Sequence, residues 1–270
     1  MTNRGWRIAA ASTIGTSHIK NGMACQDNHA CRVMQDASGE SVVVLVASDG
    51  AGSASRADEG SFCACCTIID AVEAFLARGN KVVDLGLDEA RNWIEMVQQA
   101  IALQAKNDGA VPRDYACTVL VAVVADEAAA FLQIGDGAIV ATDETGEWTW
   151  IHWPQRGDYA NTTYFTTEDG AVEQMEFNLI RRPIDDVALF TDGIEALVLH
   201  YATKTVHSPF FDSMFAPVWA SKADEIDKTL STALDRYLKS PKVCERTDDD
   251  KTLILASRRQ PASEPEVAVL

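Results

Sequence analysis

The sequence is poor in positive charge. Its 23 lysines and arginines are outnumbered by 40 aspartates and glutamates, which gives a formal net charge of −17 over 270 residues. A chain with this balance is repelled by nucleic-acid phosphates and by anionic lipid, so both are excluded as its main partners. The excess of carboxylates suits cation binding, and it equally suits an ordinary acidic globular protein.

Long apolar runs and a cysteine framework are also lacking. No continuous apolar run approaches the roughly 18 residues of a membrane span, and the opening MTNRGWRIAAAST lacks the apolar segment of a secretory signal. The seven cysteines are an odd number without framework spacing, so we predict a cytoplasmic protein with reduced thiols. Cys63, Cys65 and Cys66 have no second Cys or His pair at zinc-site spacing, so we expect buried small helix residues there.

The chain does contain short segments rich in Val, Ile and Leu and bounded by turn residues, which predict strands. The predicted strands are 6–12, 41–48, 115–124, 128–134, 138–142, 186–191 and 252–257. Helices are predicted over 57–78, 86–107 and 222–239, and antiparallel hairpins over 144–180. Because helices and strands are grouped rather than regularly alternating, we predict an α+β fold with one domain over 1–258. Residues 259–270 are predicted to form a disordered tail.

Acidic residues recur where predicted strands begin or end. They are Asp27 in CQDN, Asp49 in VASDG, Asp136 in IGDG, Asp192 in FTDG and 248–250 in TDDDK. Each has a simple explanation when taken alone, because Asp-Gly is a strong turn signal and a run of acids suits a solvated loop. For Asp136-Gly137, which lies between two apolar runs, a hairpin turn is the favoured interpretation when the pair is considered by itself.

Taken together, these positions indicate a cation site. Carboxylates gathered at one edge of a sheet would repel one another and lose solvation. A hard divalent cation removes that penalty, and Asp oxygens are among its preferred ligands. Gly50 and Gly193 permit a close approach of the backbone, so a main-chain carbonyl can serve as a further ligand.

The ordered set of motifs resembles the metal-dependent serine/threonine phosphatases of the PPM (PP2C-like) type. The resemblance runs from CQDN through VASDGAG, TVLVAVV, LQIGDGAIV and LFTDGIEAL to DDDKTLILA, and RGDYANTTYFTTEDG is similar to a bacterial branch. It implies a four-layer α+β sandwich in which helices flank two central antiparallel β-sheets. It also implies a centre of two Mn²⁺ or Mg²⁺ ions at one end of the sandwich.

The resemblance implies a role for each acidic position. The residues that would hold the ions are Asp27, Asp49, Gly50, Asp136, Asp192 and Asp249. Among them Asp49 would bridge the two ions, and Asp136 with Asp192 would hold a third, weaker ion. A metal-activated water would then hydrolyse phosphoserine and phosphothreonine without a protein nucleophile. The predicted catalytic residues are Asp27, Asp49, Asp192 and Asp249.

Departures from the family pattern concern the binding of substrate. Gly22 stands where many members have an arginine that holds the substrate phosphate, and nearby His18 and Lys20 are the candidate replacements. Ala51 stands where eukaryotic members have a histidine, so proton donation to the leaving oxygen would fall to a metal-bound water or another group. Asp250 occupies a position where the family has Asn or Asp, and we assign it a supporting role.

These departures leave a second function open, a catalytically weak PP2C-like domain used for binding or regulation. Retention of every predicted metal carboxylate argues against it, whereas loss of the arginine and the histidine argues mildly for it. The expected partner is a phosphoprotein substrate, with a Ser/Thr kinase suggested by the family branch alone. A Rossmann domain is poorly supported, because Ser55 stands where GAGSAS would need its third glycine.

Overall fold

The computed structural model describes residues 5–156 and 163–259. The strands are β1 (Arg7–Thr13), β2 (Asn28–Gln35), β3 (Ser41–Ser48), β4 (Val119–Val124), β5 (Ala129–Ile134), β6 (Ala138–Thr142), β7 (Trp148–His152), β8 (Glu176–Ile180), β9 (Asp186–Phe190), β10 (Leu199–His200), β11 (Thr205–Val206), β12 (Glu225–Ile226) and β13 (Lys251–Ser257). The helices are α1 (Thr16–Asn21), α2 (Ala57–Ala77), α3 (Leu87–Asp108), α4 (Ala171–Gln174), α5 (Glu195–Val198), α6 (Ser208–Ala220), α7 (Lys228–Leu238) and α8 (Pro241–Cys244).

Two sheets form the centre of the molecule. The first has the strand order β12-β1-β13-β9-β6-β7 and the second has the order β2-β3-β4-β5-β8. The short β1–β12 pairing is parallel, and the other described pairings in these sheets are antiparallel. Helices α2 and α3 cover the second sheet, and α6 and α7 cover the first. The predicted α+β sandwich of two central sheets flanked by helices is confirmed.

Strand β3 shows why the central strands are apolar over most of their length. Val42 and Val44 belong to the core beneath α2 and α3, whereas Val43 and Leu45 belong to the core between the two sheets. Successive side chains of a strand point to opposite faces, so a strand that is covered on both faces is apolar throughout. The end of this fully packed strand fixes the position of Asp49, which follows it.

Helix α2 is the one candidate membrane span in the described part of the chain, by length and composition. In the folded chain, 56% of its most apolar 18-residue window is buried, and Ile68 and Phe75 lie in the core against the second sheet. It therefore packs as a core helix of a globular domain. Of its three clustered cysteines, Cys65 is buried, Cys63 is half-buried and Cys66 is exposed, so the expected burial holds in full for Cys65 alone.

Several local predictions were wrong. The β5–β6 connection crosses from the second sheet to the first, so Asp136-Gly137 is not a hairpin turn. Helix α7 begins at Lys228 rather than near 222, because the Asp227 carboxylate accepts the backbone N–H groups of Thr229 and Leu230 and caps the helix there. Strand β2 and helix α6 were not predicted.

The region 144–180 differs in part from the predicted hairpins. Strand β7 does pair with β6 in antiparallel fashion, but β8 pairs with β5 in the other sheet, and helix α4 precedes β8. Residues 157–162 of this region, and residues 260–270 of the predicted tail, lie outside the described residues.

Candidate metal centre

The sheet topology brings the predicted acidic positions to one end of the sandwich. Strands β3 and β5 both pair antiparallel with β4, so Asp49 and Asp136 follow strand ends at the same edge of the second sheet. In the first sheet β9 and β13 are antiparallel neighbours. The end of β9, followed by Asp192, therefore adjoins the start of β13, which follows residues 248–250.

Three carboxylates meet in a cleft at this end. Asp49, Asp136 and Asp192 each offer an oxygen atom, and these three oxygens lie within 4.8 Å of one another. The cleft has a volume of about 380 Å³, and Gly50 and Asp249 also line it. Oxygens at this spacing can share a cation, and Asp249 stands at the margin of the cluster as a further potential ligand.

Burial raises the pKa of each of the three clustered carboxyl groups. Loss of solvation, followed by the charge of Asp136, raises the pKa of Asp192 to about 8. Loss of solvation and then the charges of Asp27 and Asp192 raise the pKa of Asp49 well above its ordinary value. Loss of solvation also raises the pKa of Asp136. At neutral pH and without a cation, the cluster therefore favours bound protons.

Asp27 lies behind this cluster and is almost completely buried, with 3% of its surface exposed. Its Oδ2 atom accepts hydrogen bonds from the hydroxyls of Thr191 at 2.7 Å and Thr252 at 2.8 Å. Loss of solvation nevertheless raises the pKa of Asp27 to about 7, although both threonines oppose this shift. The position fits a residue that supports Asp49 from the protein interior.

Two glycines beside the clustered carboxylates stand where another stretch of backbone passes too close for a side chain. A Cβ atom on Gly50 would lie 2.8 Å from the carbonyl oxygens of Ala57 and Gln26, and one on Gly193 would lie 1.8 Å from the carbonyl oxygen of Asp250. Gly50 stands opposite Cys117 in an isolated antiparallel bridge. The hydrogen bonds of this bridge are donated by the Ala51 N–H to Ala116 and by the Thr118 N–H to Asp49, not by Gly50 itself. The Gly50 carbonyl is therefore left outside this pairing and is available as a ligand.

His18 lines the cleft and lies next to Asp250, although its buried Nδ1 atom makes no hydrogen bond of regular geometry with the described residues. The His18 Nδ1 atom lies 2.9 Å from Asp250 Oδ2. The Asp250 carboxylate also accepts the backbone N–H groups of Gly15 at 2.6 Å and Gln26 at 2.5 Å. Asp250 thus ties helix α1 to the start of β13. Lys20 is exposed on α1 and is not among the residues that line the cleft, so the structure does not bring it to the site.

Arg156 is a cationic group near the cluster that the sequence did not reveal. Its guanidinium lies 4.6 Å from the centre of the Tyr201 ring, and Tyr201 donates a hydrogen bond to Glu195. The positive charge of Arg156 partly opposes the burial that raises the pKa of Asp136. Nothing in the local sequence distinguishes this arginine, because its neighbours Tyr201 and Glu195 are more than thirty positions away in the printed sequence.

The donor set fits a hard divalent cation such as Mn²⁺ or Mg²⁺, because every candidate ligand atom is an oxygen. Among the described residues, the buried atoms Asp27 Oδ1 and Asp192 Oδ1 have no hydrogen-bond partner. Within the same residues, no Lys, Arg or His nitrogen lies within 4.0 Å of the carboxylates of Asp49, Asp136 or Asp192. Buried carboxylates without a counter-charge are unfavourable, and a cation in the cleft would relieve this.

Comparisons with known proteins agree with this geometry. The profile of the family described as protein phosphatase 2C matches residues 14–239. The chain is 34% identical over 253 residues to serine/threonine-protein phosphatase 3 of Escherichia coli K12, covering 93% of this chain and 98% of that protein.

Solved structures share the fold at lower identity. A bacterial serine phosphatase has a TM-score of 0.60 at 14% identity, covering 95% of this chain and 99% of that chain. Phosphatase Stp1 of Staphylococcus aureus has a TM-score of 0.55 at 13% identity, covering 93% and 94%. The catalytic domain of PstP, solved with two manganese ions, has a TM-score of 0.56 at 15% identity, covering 94% and 98%.

The fold and the carboxylate cleft together define a phosphatase of PP2C type. The chain belongs to the protein phosphatase 2C family, a class of serine/threonine phosphatases.

Proposed function

We propose that this protein removes phosphate from phosphoserine and phosphothreonine side chains of proteins at a centre of two Mn²⁺ or Mg²⁺ ions. The observation that carries the proposal is the meeting of three carboxylate oxygens within 4.8 Å of one another. When bound, such ions supply a water of lowered pKa and positive charge that stabilises the phosphoryl oxygens. The relative from Escherichia coli, a serine/threonine-protein phosphatase by name, supports the substrate class.

Six residues are proposed to hold the ions. They are Asp27, Asp49, Gly50, Asp136, Asp192 and Asp249, with a third and weaker ion between Asp136 and Asp192. Asp49 lies at the centre of this set and is oriented by Thr118, whose hydroxyl accepts the Asp49 N–H at 2.9 Å. The Thr118 N–H in turn donates to the Asp49 carbonyl at 2.8 Å. This reciprocal pair fixes the backbone from which the central carboxylate projects.

His18 is proposed to contact the substrate phosphate in place of the arginine that Gly22 replaces. It lines the same cleft as the carboxylates, and its Nδ1 atom lies 2.9 Å from the Asp250 carboxylate. A charged or hydrogen-bonding donor at this place is what a phosphate dianion requires. Lys20 is not included in this proposal, because its side chain is outside the cleft.

The competing function is a PP2C-like domain that binds phosphoproteins with little or no catalysis. The observation in its favour is Ala51, which lines the cleft where eukaryotic members have a histidine. Under either function the partner is a phosphoprotein, and a Ser/Thr kinase is one proposed substrate.

Turnover of p-nitrophenyl phosphate and of a phosphothreonine peptide, with Mn²⁺, Mg²⁺ or EDTA, separates the two functions. We expect hydrolysis that requires the metal and is abolished in Asp192→Ala. Metal binding without turnover of either substrate would favour the regulatory domain. Turnover that EDTA leaves unchanged would contradict the metal centre itself.

A further inference from the structure

A second cavity lies beside the catalytic end of the molecule. Its volume is about 330 Å³, which is in the range of sites that take a side chain or a small ligand. Phe210, Met214 and Tyr237 supply apolar surface, and Lys242 and Arg246 supply positive charge. We call this cavity, with these five residues, the basic groove.

The charge of the basic groove is opposite to that of the chain as a whole. No Asp or Glu is among its described lining residues, in a chain of formal net charge −17. Neither Lys242 nor Arg246 forms an ion pair with a carboxylate of the described residues, whereas nearby Lys239 pairs with Asp235 at 2.8 Å. Lys242 and Arg246 therefore give this part of the surface a positive charge beside apolar side chains. Such a patch attracts anionic groups, which the net negative charge of the chain otherwise repels.

Arg246 lines the groove together with the aromatic side chains that form its floor. The ring of Tyr237 packs 6.4 Å from that of Phe210, so the apolar floor is continuous between α6 and α7. Burial raises the pKa of Tyr237, and the positive charge of Arg246 opposes this effect. Because Arg246 lines the same cavity as Phe210 and Tyr237, a ligand bound there can contact the guanidinium and the aromatic floor together.

The groove is close to the proposed metal centre along the chain. Arg246 and Asp249 are three residues apart, so their Cα atoms are separated by at most about 11 Å. On the other side, Leu197 lines the groove and follows Asp192 by five residues, through one 3-10 turn and helix α5. A substrate peptide of three to five residues, at about 3.3–3.6 Å per residue, can span this separation.

We propose that the basic groove binds a segment of the phosphoprotein substrate in which a large apolar side chain is flanked by acidic residues. This proposal rests on the proposed function, because the groove selects substrates only if the neighbouring metal centre hydrolyses phosphoproteins. The apolar side chain packs on Phe210, Met214 and Tyr237, and the flanking carboxylates pair with Lys242 and Arg246. The phosphorylated residue, a few positions away, then reaches the cleft.

The test compares three phosphothreonine peptides whose flanking sequence, three to five residues from the phosphate, is Glu-Leu-Glu, Lys-Leu-Lys or Glu-Ser-Glu. In the wild-type enzyme we expect the highest kcat/KM for Glu-Leu-Glu. In the double variant Lys242→Glu/Arg246→Glu we expect kcat/KM for this peptide to fall about tenfold or more, while p-nitrophenyl phosphate turnover stays within about twofold. The matched control is Lys81→Glu/Lys106→Glu, which makes the same charge change at two exposed sites away from the groove.

An unchanged order of the three peptides in the groove variant, or an equal loss in the control variant, would overturn the proposal. Fluorescence anisotropy of the labelled, unphosphorylated Glu-Leu-Glu peptide gives a readout that needs no hydrolysis. Binding that is lost in the groove variant supports the groove even where no peptide is hydrolysed, in which case the proposed function alone fails. Absence of binding to the wild-type chain overturns the groove proposal.

The same assays distinguish two other possible occupants of the basic groove, the C-terminal residues of this chain and an anionic lipid surface. Residues 260–270 include the acidic and apolar stretch EPEVAVL. If the labelled peptide binds only after truncation at Arg259, this stretch occupies the groove and the proposal is overturned. Phosphatidylserine vesicles that bind through Lys242 and Arg246, without discrimination among the peptides, would also overturn it.

Discussion

Replacing Asp192 by Asn should stabilise the metal-free protein at alkaline pH and leave its stability at acidic pH nearly unchanged. The Asp192 carboxylate lies within 4.8 Å of the oxygens of Asp49 and Asp136. Two unit charges at 4.8 Å repel by about 3.5 kcal/mol at an effective dielectric constant of 20. We therefore expect Asp192→Asn to raise the free energy of unfolding by about 3 kcal/mol at pH 9 in EDTA.

The sign of the pH dependence follows from the raised pKa. The pKa of Asp192 is about 8 in the folded chain, against an ordinary value of 3.8. Between these values the folded state binds more protons than the unfolded state, so the stability of the metal-free wild type falls as pH rises from about 4 to about 8. Asn resembles the protonated acid, so the variant and the wild type should agree below about pH 4 and diverge progressively towards pH 9.

Thermal unfolding followed by circular dichroism in EDTA measures this effect. A gain of about 3 kcal/mol corresponds to roughly 6–12 °C for a domain of this size. Asp70→Asn is the matched control, because Asp70 is exposed on α2 and forms no ion pair with the described residues. An unfolding temperature for Asp192→Asn that is unchanged at pH 9, or raised equally at pH 5, would refute the reasoning.

Two further substitutions test the supports of the cluster. Thr191→Val removes a hydrogen bond to the Asp27 carboxylate and the acceptor of the Thr252 N–H, so we expect a loss of about 2 kcal/mol or more in urea unfolding. The loss should be larger at pH 9 than at pH 5, since the pKa of Asp27 is about 7 and the bond is strongest to the ionised form; equal losses would contradict this. Gly193→Ala places a Cβ 1.8 Å from the Asp250 carbonyl oxygen, and the backbone shift should cost about 1–3 kcal/mol. Gly86→Ala, where nothing lies within 4 Å of the new Cβ, is its control, and a similar effect of both would show that the close approach is unimportant.

The acidic site could be predicted from sequence because each carboxylate is adjacent to a strongly patterned strand. Asp49, Asp136 and Asp192 each follow a short apolar segment, and such segments predict strands without knowledge of the partners. The order of the motifs along the chain was then specific enough to indicate the family. Their convergence depends on sheet order, which the local pattern does not contain, and this is why Asp136-Gly137 could be taken for a hairpin turn.

Other features depend on contacts between distant segments. Asp250 joins Gly15, Gln26 and His18 across more than 220 positions of sequence, and Arg156 reaches its aromatic partner only in the folded chain. Helix α6 was missed because Pro209 and Pro217 disrupt its pattern, although Pro209 lies in the first turn, where proline is tolerated. The basic groove likewise draws its residues from four separate helices or loops.

The most direct test of the central claim is the initial rate of phosphothreonine peptide hydrolysis by the wild type and by Asp49→Asn, each at saturating Mn²⁺ and in EDTA. Asp49 is the central carboxylate of the proposed centre, and its replacement by Asn keeps the size of the side chain. We predict hydrolysis by the wild type with Mn²⁺ only, and no hydrolysis by Asp49→Asn under either condition. Near-normal Mn²⁺-dependent hydrolysis by a folded Asp49→Asn would contradict the assignment of the metal centre.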